Sequence, residues 1–589
     1  MGITSSCCLM IDGKVVAAQQ EERFTRIKNY DTWPKYSIRS CLEIAKINIK
    51  QVDKVVWAGK DPPAMDYFLT KRYSSYSFKD MIDEQENYWY PVLYKNKKIN
   101  YLKLFKKKID LNQSPGKKIL SKYINSKGKA KEILKKNFKE LLVVNELGLG
   151  KNKIDYIEHH DCHSYYSISN IINKKSKILT LTIDGSGDKA INCTVSIYNN
   201  RKLKRVFESK NFIIGRIYRH ITLLLGMKWG EHEYKTMGLA PYSGIRATDE
   251  TYRIFCKTFD VRINSKNVLF KDLKDCYFAF KEKLKYSRFD AIAGGVQKFA
   301  EDRILKWVNY WIKKTNIKEI SYSGGVSMNV KVNKEIAEIK NLKSLNVPGA
   351  GTDDSLSIGA CYAYANKKGL KTYPLKDLYL GYQISDLEIL NTIKGLNKKK
   401  YLIKKNQKPE DISRLLSNGL ILGRCMGRME FGARALGNRS ILADPRSFNT
   451  IEKINKKIKS RDFWMPFAPS VVENHANKYF YLKKNVNYTQ MTVCVETKKE
   501  YKKIIPAVLH PSDFTARIHL VKKELNIEYF RLINSFYKLT KIGILLNTSL
   551  NLHGRPIART AADCMEILEN SEIDGIEIEN YLILKKNIN

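Results

Sequence analysis

The period of the apolar positions changes several times along the chain, and the changes divide it. Residues 7–11 and 14–18 are short apolar runs on either side of Asp12-Gly13, which predicts a β-hairpin with a primed turn. A helical period follows over 35–46 and a strand over 54–58. Residues 61–139 are aromatic and basic with little strand character, and read as a helical insertion. A second hairpin-first stretch opens near 177. Strands at 178–183, 190–198 and 203–208 form a meander with a turn at Asn199-Asn200. Glycine pairs then mark strand-to-helix junctions at Ser323-Gly324-Gly325 and at Gly349-Ala350-Gly351, the second opening a helix to about 366. Residues 367–380 read as a linker. From about 385 a separate alternation begins, with strands at 420–424 and 542–546 and a helix at 561–569 capped by Thr560.

Two stretches that open with hairpins, followed by alternating strand, loop and helix, predict a duplicated α/β fold of the actin type with a cleft between its halves. Its halves are about 1–60 with 140–176, and 177–366, giving an N-terminal domain over 1–380 and a C-terminal α/β domain over 385–589.

Length and charge refine this picture. A chain of 589 residues is too long for one core. It carries 104 Lys and Arg against 60 Asp and Glu, a formal charge of +44. Residues 95–140 alone hold sixteen lysines against three acids. The excess is spread as lysine through the whole chain, so it reads first as a composition bias. An anionic small substrate comes second, and nucleic acid last. Eleven cysteines without a Cys-x-x-Cys pair fit reduced thiols in a cytoplasm. No apolar run is long enough to span a membrane. Met1 to Ser6 matches a myristoylation pattern, which the buried strand expected just after it argues against.

The chemistry concentrates in Glu158-His159-His160-Asp161-Cys162-His163-Ser164. His159 and His163 are four apart, so on a helix both rings leave one face. Spacing alone allows either a metal pair or two surface histidines. The strand at 178–183 ends in Asp184-Gly185-Ser186-Gly187-Asp188, which brings a carboxylate to a strand end near them, enough to start a metal site. In the C-terminal part, the loop from Gly427 to Ser440 sets Arg428, Arg434 and Arg439 among glycines, a composition suited to gripping phosphate.

These blocks, together with 21–28, 230–242, 348–359, 466–470 and 546–551, resemble the NodU/CmcH family of carbamoyltransferases, which includes the tobramycin-type O-carbamoyltransferases. The resemblance covers nearly the whole chain, with 61–139 matching weakly. It implies an actin-like (ASKHA) N-terminal domain and a C-terminal YrdC-like domain. The C-terminal domain would make carbamoyl-adenylate from carbamoyl phosphate and ATP with Mg2+. The N-terminal domain would pass the carbamoyl group to a small-molecule or glycan acceptor with a free hydroxyl. The implied metal is Fe(II) or a similar divalent ion, held by His159, His163, Asp184 and Asp353, with neighbouring Asp354 as the fallback. Ser323, Gly324, Gly325 and Asn329 would hold the carbamoyl-adenylate. Arg434, Arg439, Lys459, Arg517, Ser549 and Asn551 would hold ATP and carbamoyl phosphate. Lys28 would neutralise charge on a phosphate in the cleft, and a homodimer is compatible with the resemblance.

The chain also departs from that family. Ile3 and Thr4 stand where the family carries a His-Asp pair linked to acceptor activation, so either the start lies upstream or another group serves, His160 being the nearest. Met465 stands where the family often has arginine, and Phe514 where glycine is common. The competing readings are a sugar-kinase-like ATPase, carbamoylation of tRNA, and a non-catalytic binding protein derived from the family.

Overall fold

The computed structural model describes residues 4–111, 116–259, 262–263, 268–269, 274–459 and 461–586, so Ile3 lies outside the described residues. The chain divides into two compact units. One is Met1–Met328 with Gly351–Leu375, the other Asn329–Ala350 with Lys376–Asn589.

In the first unit, β1 (Ser6–Ile11) pairs antiparallel with β2 (Lys14–Gln20) around Asp12 and Gly13. Both turn residues have positive φ (48° and 75°), as a primed turn requires. Gly13 is also needed for space, because a Cβ there would lie 1.8 Å from the Lys371 carbonyl oxygen. Tyr373 N–H donates to the Gly13 carbonyl at 3.0 Å. The first part of the expected linker is therefore packed onto the hairpin.

Next, β3 (Val55–Ala58) runs parallel to β4 (Ile154–Ile157). Between them the described residues are helical, ending in α1 (Gly128–Leu147). That insertion contributes to the core. Phe138, Leu142 and Val143 of α1 are fully buried in one cluster with Trp33, Trp57, Met65 and Phe68, so the apolar face of α1 is part of this unit's core.

After β4 the chain turns directly into α2 (His159–Ile168). It then enters β5 (Ile178–Ile183), every residue of which is buried, Thr180 and Thr182 included, as in a strand covered on both faces. Antiparallel β6 (Cys193–Asn199) and β7 (Lys202–Ser209) follow on one side of β5. Parallel β8 (Glu319–Ser323) lies on the other. Helices α3 (Ile214–Leu224) and α4 (Leu356–Lys367) complete the frame of the site. Helix α4 meets α2 backbone to backbone, since a Cβ on Gly359 would lie 1.9 Å from the Cys162 carbonyl oxygen.

The second unit is built on an eight-stranded mixed sheet. Its strands are β9 (Tyr401–Lys405), β10 (Leu422–Cys425), β11 (Arg439–Ala443), β12 (Ala468–Val472), β13 (His519–Val521), β14 (Ile544–Ser549), β15 (Gly575–Ile578) and β16 (Tyr581–Lys585), in the order β9-β16-β15-β10-β11-β14-β12-β13. The segment Asn329–Ala350 joins this unit, where Leu345 N–H donates to the Asn485 carbonyl at 3.1 Å. Both units are thus mixed α/β. Among the described residues no helix is long and apolar enough to cross a membrane.

The contact at Gly359 gives a direct test. Gly359→Ala must push α4 away from α2, and overpacking of this kind costs about 1–3 kcal/mol. Urea unfolding is expected to show that loss; an unchanged midpoint would mean that the helices do not approach this closely.

Candidate metal centre and anion site

Helix α2 starts where it does because Glu158 caps it, its carboxylate accepting the Asp161 N–H at 2.9 Å. Arg205 on β7 bonds both Glu158 and Asp161, which ties the first turn to the sheet. The (i, i+4) spacing then carries His159 and His163 to one face, with ring centroids 4.8 Å apart. Asp184 enters from the end of β5, and Asp353 from the short turn Asp353–Ser355 before α4.

The four residues converge, with one ligand atom from each lying within 4.8 Å of the others. His159 Nε2 is 3.0 Å from Asp184 Oδ2 and 3.9 Å from Asp353 Oδ1. His163 Nε2 is 3.8 and 3.9 Å from the same two oxygens. Those last distances exceed a hydrogen bond. Both ring nitrogens of His163 are buried without a hydrogen-bond partner. An imidazole facing two carboxylates just out of bonding range fits a shared divalent cation, and two imidazoles with two carboxylates are a common donor set for iron-type and zinc-type ions.

The electrostatics fit this geometry. Burial works against a charged His159, but its hydrogen bond to Asp184 and the charges of Asp353 and Asp184 outweigh it and hold its pKa up to about 9. Burial likewise opposes ionisation of Asp184, yet the two histidines keep its pKa well below the ordinary carboxylate range.

His160 goes elsewhere. It is fully buried, with Nδ1 2.8 Å from the Thr182 hydroxyl and Nε2 3.0 Å from the Ile191 carbonyl. Burial, then the charges of His159 and His163, push its pKa down to about 3. Both nitrogens are engaged, so the ring expected as a stand-in base has none left to take an acceptor proton. Asp354 is also outside the cluster, held by the hydroxyls of Thr4 and Thr352.

The glycine loop braces the cluster. Gly325 N–H donates to Asp184 Oδ1 at 3.1 Å, and Gly324 N–H to the Gly351 carbonyl at 3.0 Å. The buried Ser323 hydroxyl lies 3.5 Å from that same carbonyl. Asn329 belongs to the other unit, where it caps the helix Val330–Ala337 through the Val332 N–H. Lys28 pairs with Glu231 at 3.2 Å. Burial opposes its charge, but Glu231 and Tyr234 keep its pKa above the ordinary lysine value.

Two positions that sequence reasoning left without a role are Gly187 and Asp188. A Cβ on Gly187 would lie 2.8 Å from Cδ2 of both His159 and His160. Asp188 accepts the backbone N–H groups of His159, Lys60 and Asp61 at 2.8–2.9 Å, which fixes the start of α2 against the loop after β3. Both lie in the Asp184–Asp188 run, but only the fold shows what they touch.

In the second unit, Lys459, Ser549 and Asn551 come together. The buried Lys459 ammonium donates to the Ser549 carbonyl and to both side-chain and backbone oxygens of Asn551 (2.8 Å each). Nearby, Arg461 Nη2 donates to the Thr548 hydroxyl at 3.1 Å. Arg434 and Arg517 are half-buried. Arg439 departs from the expectation. It is fully buried, and its guanidinium donates to the carbonyls of Met426, Gly427, Asn438 and Tyr382. A guanidinium spent on four backbone carbonyls braces the loop and does not grip phosphate. Glu430 completes that brace, one of its oxygens accepting the N–H groups of Leu436, Asn438 and Arg439.

Profiles described as Carbamoyltransferase N-terminus and Carbamoyltransferase C-terminus match residues 3–362 and 413–585. An uncharacterized protein of Methanocaldococcus jannaschii is 32% identical over 74% of this chain and 74% of its own length. Nodulation protein NolNO of Sinorhizobium fredii is 27% identical over 98% of this chain and 78% of that protein. Nodulation protein U of Rhizobium tropici is 29% identical over 46% and 44%. Among solved structures, component A of (R)-2-hydroxyglutaryl-CoA dehydratase from Acidaminococcus fermentans is similar over 63% of this chain and 96% of that one. Its TM-score of 0.30 and 13% identity are too low to bear on the argument.

The cluster makes stability depend on pH in a defined sense once a chelator has removed any metal. The folded pKa of His159 is raised, so its contribution is complete below about pH 6.5 and is lost as pH rises through about 9. That of Asp184 is lowered, so its contribution is lost only as pH falls below the carboxylate range. Chelator-treated protein should melt lower at pH 9 than at pH 6.5, and His159→Ala should remove much of that difference. An equal pH dependence in wild type and variant counts against the pairing.

Proposed function

This chain belongs to the carbamoyltransferase family, and from that premise we propose that it is an ATP-dependent O-carbamoyltransferase. In this reading water releases phosphate from carbamoyl phosphate, and the carbamate so formed attacks the α-phosphorus of ATP to give carbamoyl-adenylate, with pyrophosphate leaving. It then transfers the carbamoyl group to a hydroxyl of a sugar-type or natural-product acceptor. Residues 1–380 are the actin-like transfer domain and 385–589 the YrdC-like adenylating domain. Fe(II) or a similar ion serves the first, ATP with Mg2+ the second, and the enzyme works in the cytoplasm. The observation that carries this reading is the convergence of His159, His163, Asp184 and Asp353 in a family that moves carbamoyl groups.

The two half-reactions need different groups. Adenylation joins two anionic reactants, so its site requires cations, and Lys459 with Arg434 and Arg517 supplies them, Ser549 and Asn551 orienting the lysine. In the transfer step the acceptor oxygen bonds to the carbamoyl carbon as its O–H bond breaks and the proton passes to solvent, the carbon–oxygen bond to AMP breaks, and AMP leaves with the electron pair. His159, His163, Asp184 and Asp353 would hold a divalent cation, which would supply Lewis acidity where negative charge develops. The chain's own part is to keep the donors in place. Gly325 N–H orients Asp184, Asp188 fixes the start of α2, and burial excludes water. Lys28 is charged and sits on Glu231, from which a phosphate can draw it.

Variants should separate the halves. His163→Ala is expected to lower carbamoyl transfer by about 10²-fold or more while pyrophosphate release from ATP plus carbamoyl phosphate continues. Lys459→Ala should suppress pyrophosphate release itself. Isotope-labelled carbamoyl phosphate and a pyrophosphate assay read the two. Loss of pyrophosphate release in His163→Ala, or its persistence in Lys459→Ala, would contradict this division.

A further inference from the structure

Helix α3 brings two arginines, one turn apart, to the peptide that follows Asp184. Arg216 Nε donates to the Gly185 carbonyl at 3.1 Å. The Arg219 guanidinium occupies the space that a Gly185 side chain would need, its Nη2 2.8 Å from the position of a Cβ. The first turn of α3 is seated on the preceding peptide, which joins Asp184 to Gly185. A Cβ on Gly215 would lie 3.3 Å from Gly185 N and 3.4 Å from the Asp184 carbonyl carbon. Both cations are therefore set one residue from a member of the four-residue cluster.

Arg219 is held by an aromatic ring rather than by an acid. Its guanidinium lies over Trp229, 4.6 Å from the ring centroid, and it makes no hydrogen bond or ion pair with a described residue. Arg72 provides the contrast. It lies over the same ring at 4.4 Å, but the fully buried Glu84 neutralises it through bonds of 2.8 and 2.9 Å. The charge of Glu233 acts on Arg219 from a distance, and one of its oxygens is taken by Gly230 N–H at 2.6 Å. Burial, then the charge of Arg219, lowers the pKa of Arg216, as expected for two neighbouring cations with no anion between them. Stacking on Trp229 fixes the guanidinium plane before any ligand arrives, which lowers the entropic cost of binding one.

We propose that Arg216 and Arg219 form an oxyanion subsite beside the His159–His163–Asp184–Asp353 cluster, taking a phosphate or carboxylate carried by one of the two reactants that meet there. The identity of those reactants rests on the carbamoyl-transfer reading. Two sources share this chemistry, the phosphate of the adenylate donor and an acidic substituent on the acceptor.

The test reads the site without requiring turnover. The full-length protein is treated with the arginine reagent phenylglyoxal, and modification of Arg216 and Arg219 is mapped by peptide mass spectrometry. AMP, glucose 6-phosphate, glucuronate and neutral glucose are the competing probes. Protection by AMP assigns the subsite to the donor. Protection by glucose 6-phosphate or glucuronate but not AMP assigns it to an anionic acceptor. In either case Arg219→Gln should weaken affinity for the protecting probe about 10-fold or more, the worth of a charge-assisted hydrogen bond. Modification that no anion slows, or that glucose slows equally, overturns the proposal, as does an unchanged affinity in Arg219→Gln. Pyrophosphate release by the wild-type protein is measured alongside. Its absence would sink the carbamoyl-transfer reading and leave the arginine result to be judged separately.

Discussion

Two imidazoles and two carboxylates brought out of water within 4.8 Å of one another are the constraint on which the first unit depends. Charges so placed are costly unless they are paired, and of the four His159 and Asp184 sit within hydrogen-bond distance of each other. Much of the surrounding structure reads as a means of holding the rest in place. Asp188 fixes the first turn of α2, Gly325 braces Asp184, and Gly359 lets α4 carry Asp353 to the rings. Each of these is a close approach of backbone to backbone or of backbone to carboxylate, which explains why glycine and aspartate recur around the site.

In the proposed reading, the second unit meets a different demand. A site for phosphates needs cations, and a cation near a protein interior needs oxygens around it when no anion is bound. Lys459 has them in Ser549 and Asn551, at the end of a strand buried in the middle of an eight-stranded sheet. Arg439 shows the other use of a guanidinium. Buried among four carbonyls, it fixes the glycine-rich loop, so that one of the loop's three arginines acts as scaffold.

Local signals in the sequence were enough for the hairpin at Asp12-Gly13, the capped helix at Thr560, the buried strand at Ile178–Ile183 and the pairing of His159 with His163. Each rests on a period or spacing within a dozen residues. Asp184 could be placed near the histidines because it ends the next strand. Asp353 could not be reached that way. It stands 169 residues beyond Asp184, and only the family resemblance brought it in. His160 and Arg439 take internal partners that their residue types do not announce, for one reason. Residue type shows what a side chain can do, whereas burial and competing partners decide what it does. The same holds for Arg219, whose meaning lies in Trp229 and Gly185, neither of which is adjacent to it in sequence.

In the proposed reading the four converging side chains are a metal centre. X-ray absorption spectroscopy of the protein purified with its native metal tests it most directly, because the spectrum identifies the donor atoms around the ion. The account predicts a shell containing two imidazole nitrogens and carboxylate oxygen, lost together with the ion when both His159 and His163 are replaced by alanine. A shell containing sulfur, a shell without imidazole, or a metal content unchanged in that double variant would contradict it.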